Sequence, residues 1–337
     1  MDGTDLGAGG PPEARRGHRG GKAAEERERI EVHRDGAVGE GLLERDADQT
    51  VRPALRPEPS PGSSQDSLYV FDAATPRRRA VALADIATGA RRWRLSVALG
   101  SLDIRNRYRG SVLGPFWLTL STAAMIGGLG LLYSSLFKME LATYLPFLAV
   151  SLIVWNTINQ IVTDACTSLT SAEGIIRQMP LPYSVHAMRC VHRNAVIAAH
   201  NLPIILLVFA ATGAWPGWEG LLAIPGLLLL GVNACALALF LGMLCARFRD
   251  IPPIVGSVMQ LAFFLSPVLW KPELLGPGRA WLPLNPFYAL METVRGPLVE
   301  GGASLLVWVS ALTYTAIMVG AALAFFIRFR GRIAFWV

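Results

Sequence analysis

Hydrophobic positions in this chain run in long stretches and do not alternate. From residue 110 onward six windows free of Asp, Glu, Lys and Arg follow one another, at 110–137, 141–163, 194–218, 220–246, 251–270 and 301–327. Each reaches the ~20 residues a helix needs to cross hydrocarbon at a rise of about 1.5 Å per residue. Within them the spacing predicts spans over about 112–137, 143–163, 195–215, 221–246, 254–270 and 304–327. Pro252, Pro253 and Pro267 shorten or kink the fifth. Ahead of the windows the pattern is amphipathic. Helical spacing from residue 91 to 104 lines up Trp93, Val97, Gly100 and Ile104 on one stripe, and Leu95, Leu99 and Leu102 on a second. Arg91, Arg92 and Arg94 stand near its start. Such a helix, within a segment 67–109, lies in a membrane interface with its Arg stems buried and its heads at phosphate level. The stretch 1–66 is rich in Gly, Pro, Glu and Arg and poor in aromatics. It is expected to be a disordered tail, and it lacks the apolar run of a signal peptide.

Composition sharpens this division. Of 337 residues 52% are hydrophobic and 17% charged, against roughly 25% charged in a soluble domain. Residues 1–75 carry a net charge of −5 and residues 76–337 one of +11. The basic surplus sits between apolar windows, so it reads as membrane orientation and excludes a cytosolic globule or a nucleic-acid binder. With the N-terminal side cytoplasmic, 17 Lys and Arg fall inside and 4 outside (Lys138, Lys271, Arg279 and Arg295). Both termini are then cytoplasmic and residues 110–337 form an all-α membrane domain of six spans.

Catalytic and metal chemistry is hard to find. Cys166, Cys190, Cys235 and Cys245 form no CxxC pair, and the expected topology puts the first two in a cytoplasmic loop and the last two in the fourth span. His186, His192 and His200 show no metal pattern. Only His200 among acids and bases falls mid-window, where ion-coupled transporters place titratable groups. Asp103, Asp164 and Asp250 each lie beside Arg residues, as in ordinary ion pairs. There is no G-x-x-x-x-G-K-[S/T]. No catalytic or metal-ligating residue is assigned, and any vectorial work must draw energy from another polypeptide.

Polar groups inside the windows have two readings. Asn156, Asn159 and Gln160 share one helical face, either as hydrogen-bond glue between helices or as an amide lining for sugar hydroxyls. Trp117, Tyr133, Tyr144, Trp155, Trp270 and Trp281 are interfacial belts or stacking rails for sugar rings. Arg105, Arg107 and Arg109 precede the first span, with Arg105 and Arg109 on one face. Arg forks suit phosphate, so these residues either anchor the inside-positive end or receive a lipid pyrophosphate head.

The run LxxxDIRNRYRGSVLGPFW at 99–117, EGIIRQMPLP at 173–182, RFRDI at 247–251, FFLSPVLW at 263–270 and LNPFY at 284–288 resembles the membrane subunits of ABC-2 type polysaccharide exporters. The likeness covers about 90–337 and is close to O-antigen and mycobacterial galactan exporter permeases, down to Trp336-Val337. The resemblance implies a homodimer in a bacterial inner membrane, joined by two copies of a nucleotide-binding subunit that binds ATP and Mg, with no cofactor in this chain. It implies lipid-pyrophosphate entry at Arg105, Arg107, Arg109, Leu113 and Gly114, and a channel lined by Trp117, Tyr133, Trp155, Asn156 and Asn159. Glu173, Gly174, Arg177 and Pro180, with Arg247, Arg249 and Asp250, would couple to the ATPase. Two short re-entrant helices within 271–300 would gate the outer exit through Asn285, Pro286 and Tyr288, the second opened by the Asn285 cap and Pro286. The rivals are an ABC-2 permease for a small lipid or drug, a membrane glycosyltransferase or polymer ligase, and a scaffold for a synthesis complex.

Overall fold

A computed structural model describes residues 78–111 and 116–337. The stretch 1–66, and Leu113 and Gly114, lie outside the described residues. Among those described there is helix and no strand. Two helices, α1 (Arg78–Arg91) and α2 (Trp93–Arg107), precede α3 (Phe116–Leu136) and α4 (Leu141–Cys166). A short α5 (Glu173–Gln178) leads to α6 (Tyr183–Thr212), α7 (Ala223–Arg247) and α8 (Ile251–Leu265). A run of 3-10 turns, Pro272–Leu284, then leads to α9 (Pro286–Arg295), α10 (Leu305–Phe329) and α11 (Ile333–Trp336).

Among the described residues five helical segments are long and apolar enough to cross a membrane: α3, α4, α6, Trp218–Arg247 and Leu305–Trp336. The fifth window departs from its expected span of 254–270. Helix α8 stops at Leu265, because Ser266 precedes Pro267 and takes an extended ψ of 142°. Fifteen residues give about 22 Å, short of a hydrocarbon core of about 30 Å.

The bundle is organised around α4. Its most apolar window is 67% buried, against 22% for α3 and for α10. Tyr144, Phe147, Leu148, Leu152 and Ser151 are closed off from solvent, and α3, α6, α7, α8 and α9 all pack on it. Helix α6 starts eleven residues before its apolar window, with Arg189, His192 and Arg193 inside the helix. Cys166 and Cys190 therefore sit on α4 and α6, not in a loop, and all four cysteines are free.

Helix α2 packs on α6 along one edge of its first apolar stripe, through small residues. Ser96 and Gly100 are buried, while Trp93 and Leu102 are about half exposed. A Cβ on Gly100 would stand 2.9 Å from the His192 ring and 3.0 Å from the Arg189 carbonyl. The small residues let the two helices approach, while Leu95, Val97, Leu99 and Ile104 are half-buried and only Trp93 and Leu102 of the stripes stay exposed.

Candidate functional site

Polar residues collect at the two ends of the bundle. At the basic end, Asp103 on α2 holds Arg189 of α6 through both forks of the guanidinium, the Nε contact at 2.6 Å. Arg193, one turn on, reaches Asp103 at 3.3 Å and Asp164 of α4 at 2.9 Å, while Asn194 also donates to Asp164 at 3.1 Å. Four partly buried charges thus tie α2, α6 and α4 into one ladder. Ser101 and His192 meet at 3.2 Å beside it. A second tie centres on Asp85 of α1, whose carboxylate accepts from the Tyr183 and Ser184 backbone N–H groups at the start of α6, at 3.3 and 3.1 Å. A carboxylate there satisfies orphan amides and complements the helix dipole. Arg330 closes the pair at 2.7 Å. Asp250, read as a third paired acid, is exposed and has no ion pair among the described residues.

Helix α5 stands on this end. Met179 is extended because Pro180 follows, which stops the helix at Gln178. Glu173 and Arg177 pair at 2.7 Å, and Arg177 also donates to the Val337 carbonyl at 2.8 Å. Gly174, Arg177, Met179 and Pro180 face outward, as do Arg247 and Arg249, the former stacked on Phe248 at 5.5 Å. Arg105, Arg107 and Arg109 are exposed at the end of α2 and just beyond it.

The expected lining residues differ in exposure. Trp117 is exposed, and Tyr133 is half-buried and stacked on Phe137. Trp155 is only 4% exposed, its ring enclosed by Phe263 of α8 and Phe287 of α9 at 5.7 and 5.8 Å. Asn156 and Asn159 are half-buried, and among the described residues neither side chain bonds to another helix. Interhelical amide glue is found elsewhere. Asn233 of α7 donates to Thr315 of α10 at 2.7 Å, both buried.

At the other end the chain from Ser266 to Glu300 folds back as a hairpin. Asn285 caps α9, its side-chain oxygen accepting from Phe287 and Tyr288 N–H at 2.9 and 3.3 Å, and Pro286 occupies the first turn. The Asn285 amide also donates to Ser266 at 3.0 Å, and the Tyr144 hydroxyl donates to the Leu269 carbonyl. Tyr288 is buried. Beneath it lies Arg295, fully enclosed, 4.5 Å from the Phe147 ring and 5.9 Å from that of Tyr288. It donates to Ser151 at 3.1 Å and to the Pro267 carbonyl at 2.6 Å, and it pairs with Glu292.

Asp85, Glu292, Arg295 and Arg330 carried no sequence signal beyond their charge. The one available hint was spacing: Arg189 and Arg193 at i, i+4, and Glu292 and Arg295 at i, i+3, each place two charges on one helical face.

A multi-pass helical membrane protein, the buried ion pairs of its described residues gathered at the two ends of the bundle, is the class that this arrangement defines. The family model for the ABC-2 type transporter matches residues 95–299, and the chain belongs to that family. Its members are membrane subunits of transporters, and membership implies an ABC ATPase as partner. The O-antigen export system permease protein RfbA of Myxococcus xanthus is 26% identical over 209 residues, covering 61% of this chain and 80% of the relative. Two proteins of the same description from Klebsiella pneumoniae are 21% and 22% identical, covering 66% and 61% of this chain and 87% and 81% of the relatives.

Proposed function

We propose that this chain is the permease subunit of an ATP-driven exporter that moves lipid-linked polysaccharide from the cytoplasmic leaflet outward across the bacterial inner membrane. One observation carries the reading: similarity to O-antigen export permeases runs over 80–87% of their length, inside a family match at 95–299. The functional unit is a homodimer with two copies of an ABC ATPase, which bind ATP and Mg. Both termini are cytoplasmic, and the short α8, within the window expected to span at 254–270, completes six crossings with the hairpin behind it on the outer side. The 17-to-4 distribution of Lys and Arg supports this sidedness.

The residues then divide the work by position. Arg105, Arg107 and Arg109, exposed at the cytoplasmic interface, receive the pyrophosphate, with Leu113 and Gly114 at the turn into α3. The half-buried Asn156 and Asn159 amides, with no interhelical partner among the described residues, exchange hydrogen bonds with sugar hydroxyls. Trp117 and Tyr133 offer flat surfaces to ring C–H groups, and Trp155 joins them when α8 and α9 move apart. A long polymer needs many weak contacts, since tight binding at one register would stall it. Helix α5, with Glu173, Gly174, Arg177 and Pro180, docks on the ATPase. Arg247, Arg249 and Asp250 form the second contact, and the hairpin at Asn285, Pro286 and Tyr288 gates the exit.

The test is depletion of this chain in its native cell. Lipid-linked polymer should accumulate at the cytoplasmic leaflet while synthesis of its precursors continues. Loss of precursor synthesis, with no accumulated polymer, would point to a ligase or a scaffold instead.

A further inference from the structure

The polar cluster under the hairpin holds two carboxylates around one guanidinium. Arg295 spends its Nη groups on Glu292, Ser151 and the Pro267 carbonyl, and its buried Nε has no hydrogen-bond partner. Glu300 Oε1 stands 4.0 Å from that Nε, too far for a hydrogen bond, and its side chain is 24% exposed at the rim. Glu292 and Glu300 thus face one enclosed guanidinium, whose single positive charge offsets only one carboxylate.

The backbone here is built to give. Gly296–Glu300 is a π-helical turn, a form that recurs at functional positions. Gly301 and Gly302 follow with φ of 75° and 145°, which side-chain-bearing residues rarely adopt. The loop is cinched by the Gly302 N–H donating to the Gly296 carbonyl at 3.0 Å.

We propose that Arg295 is a positioning residue for export, holding the hairpin against α4, and that ionisation of Glu300 loosens this hold by setting a second negative charge beside Glu292 around the one guanidinium. The inference rests on the hairpin being the exit gate. Burial first, and the Glu292 charge second, push the Glu300 carboxyl from 4.5 up to about 7, with Glu273 adding to the rise and Arg295 opposing it. The other charged or titratable groups around it are Tyr288 on α9, Arg279 and Lys271 on the approach to it, Tyr144 on α4, which packs against the turn, and Glu219 on Trp218–Leu222, which does so too. Arg295 neutralises one carboxylate only. The closed arrangement is therefore most favoured at low pH and loses ground as pH rises through about 7.

Hydrogen exchange of the full-length permease in lipid nanodiscs tests this, after correction for intrinsic rates. Protection of residues 286–302 should fall about fivefold or more between pH 6 and pH 8. The same residues in Glu300→Gln, which keeps a neutral hydrogen-bonding side chain, should show no such fall. Arg295→Lys keeps the charge but cannot span all three partners, so hairpin protection should drop at pH 6 while α4 and α7 hold. An unchanged pH response in Glu300→Gln overturns the proposal. Export by the complete transporter is followed in parallel. If hairpin protection titrates and export does not, the latch stands and the gate assignment falls.

Discussion

Replacing Asp103 by Asn isolates the tie between the interfacial helix and the bundle. The substitution keeps size and one hydrogen-bond acceptor but removes the charge that faces both Arg189 and Arg193. The four side chains of the ladder are 13–17% exposed, so neither limiting case applies. Exposed pairs are worth about 0–1 kcal/mol, and breaking a buried pair costs about 3–5 kcal/mol. With most of each charge desolvated and a two-pronged Arg189 contact, the cost should be about 2 kcal/mol. Arg193 retains Asp164, so the α4–α6 contact survives and the loss falls on α2. Local opening of α2, read by amide hydrogen exchange, should become about 30-fold more frequent, with α4 and α6 changed by less than about threefold. Adding Arg189→Gln to Asp103→Asn should cost much less than the sum of the two single changes. A change in α2 below about threefold, or equal loosening of α4, would refute the assignment of this ladder as the anchor of α2.

Three further substitutions probe other parts of the structure. Gly226→Ala places a Cβ against the Thr293 backbone, 2.8 Å from its carbonyl carbon, where α7 and α9 touch; overpacking of this kind should cost about 1–3 kcal/mol, seen as a lower thermal midpoint of the purified permease. Asn285→Ala removes the cap of α9 and the bond to Ser266, so residues 286–290 should lose about 1–2 kcal/mol of protection in hydrogen exchange. Arg177→Glu alters a side chain that is 63% exposed, so stability should change by under about 1 kcal/mol. Stimulation of the ATPase by the permease should nevertheless fall sharply in a turnover assay; unchanged stimulation would remove α5 from the coupling surface.

Much of the helical plan could be read along the chain because hydrocarbon imposes a length and a polarity on each span. The windows around α3, α4, α7 and α10 translate almost directly into helices. The cap at Asn285-Pro286 was legible for a local reason: its chemistry acts over three residues. What could not be read was pairing across sequence distance. Arg189 and Arg193 lie outside an apolar window, so hydropathy stops at residue 194; their pairing with Asp103 and Asp164, and the Asp85 carboxylate on the Tyr183 and Ser184 N–H groups, explain why α6 runs back to Tyr183. Arg295 looked like one more outer charge, yet it is fully buried, and its cage draws on Phe147, Ser151 and Pro267 from elements far apart in the chain. Helix α2 misled in a simpler way. Gly100 of its first stripe does face α6, but the most enclosed side chain of the helix is that of Ser96, a polar residue that no periodicity of hydrophobic residues reveals.

Reconstitution with a separated engine is the most direct measurement. The purified permease, with and without its ABC ATPase, is placed in vesicles carrying lipid-linked polysaccharide on the ATPase-facing leaflet, and polymer reaching the opposite side is scored with an impermeant lectin. Movement should require both proteins and ATP hydrolysis, and either protein alone should give none. Sustained uphill movement by the permease alone, with no ATPase present, would contradict the central claim.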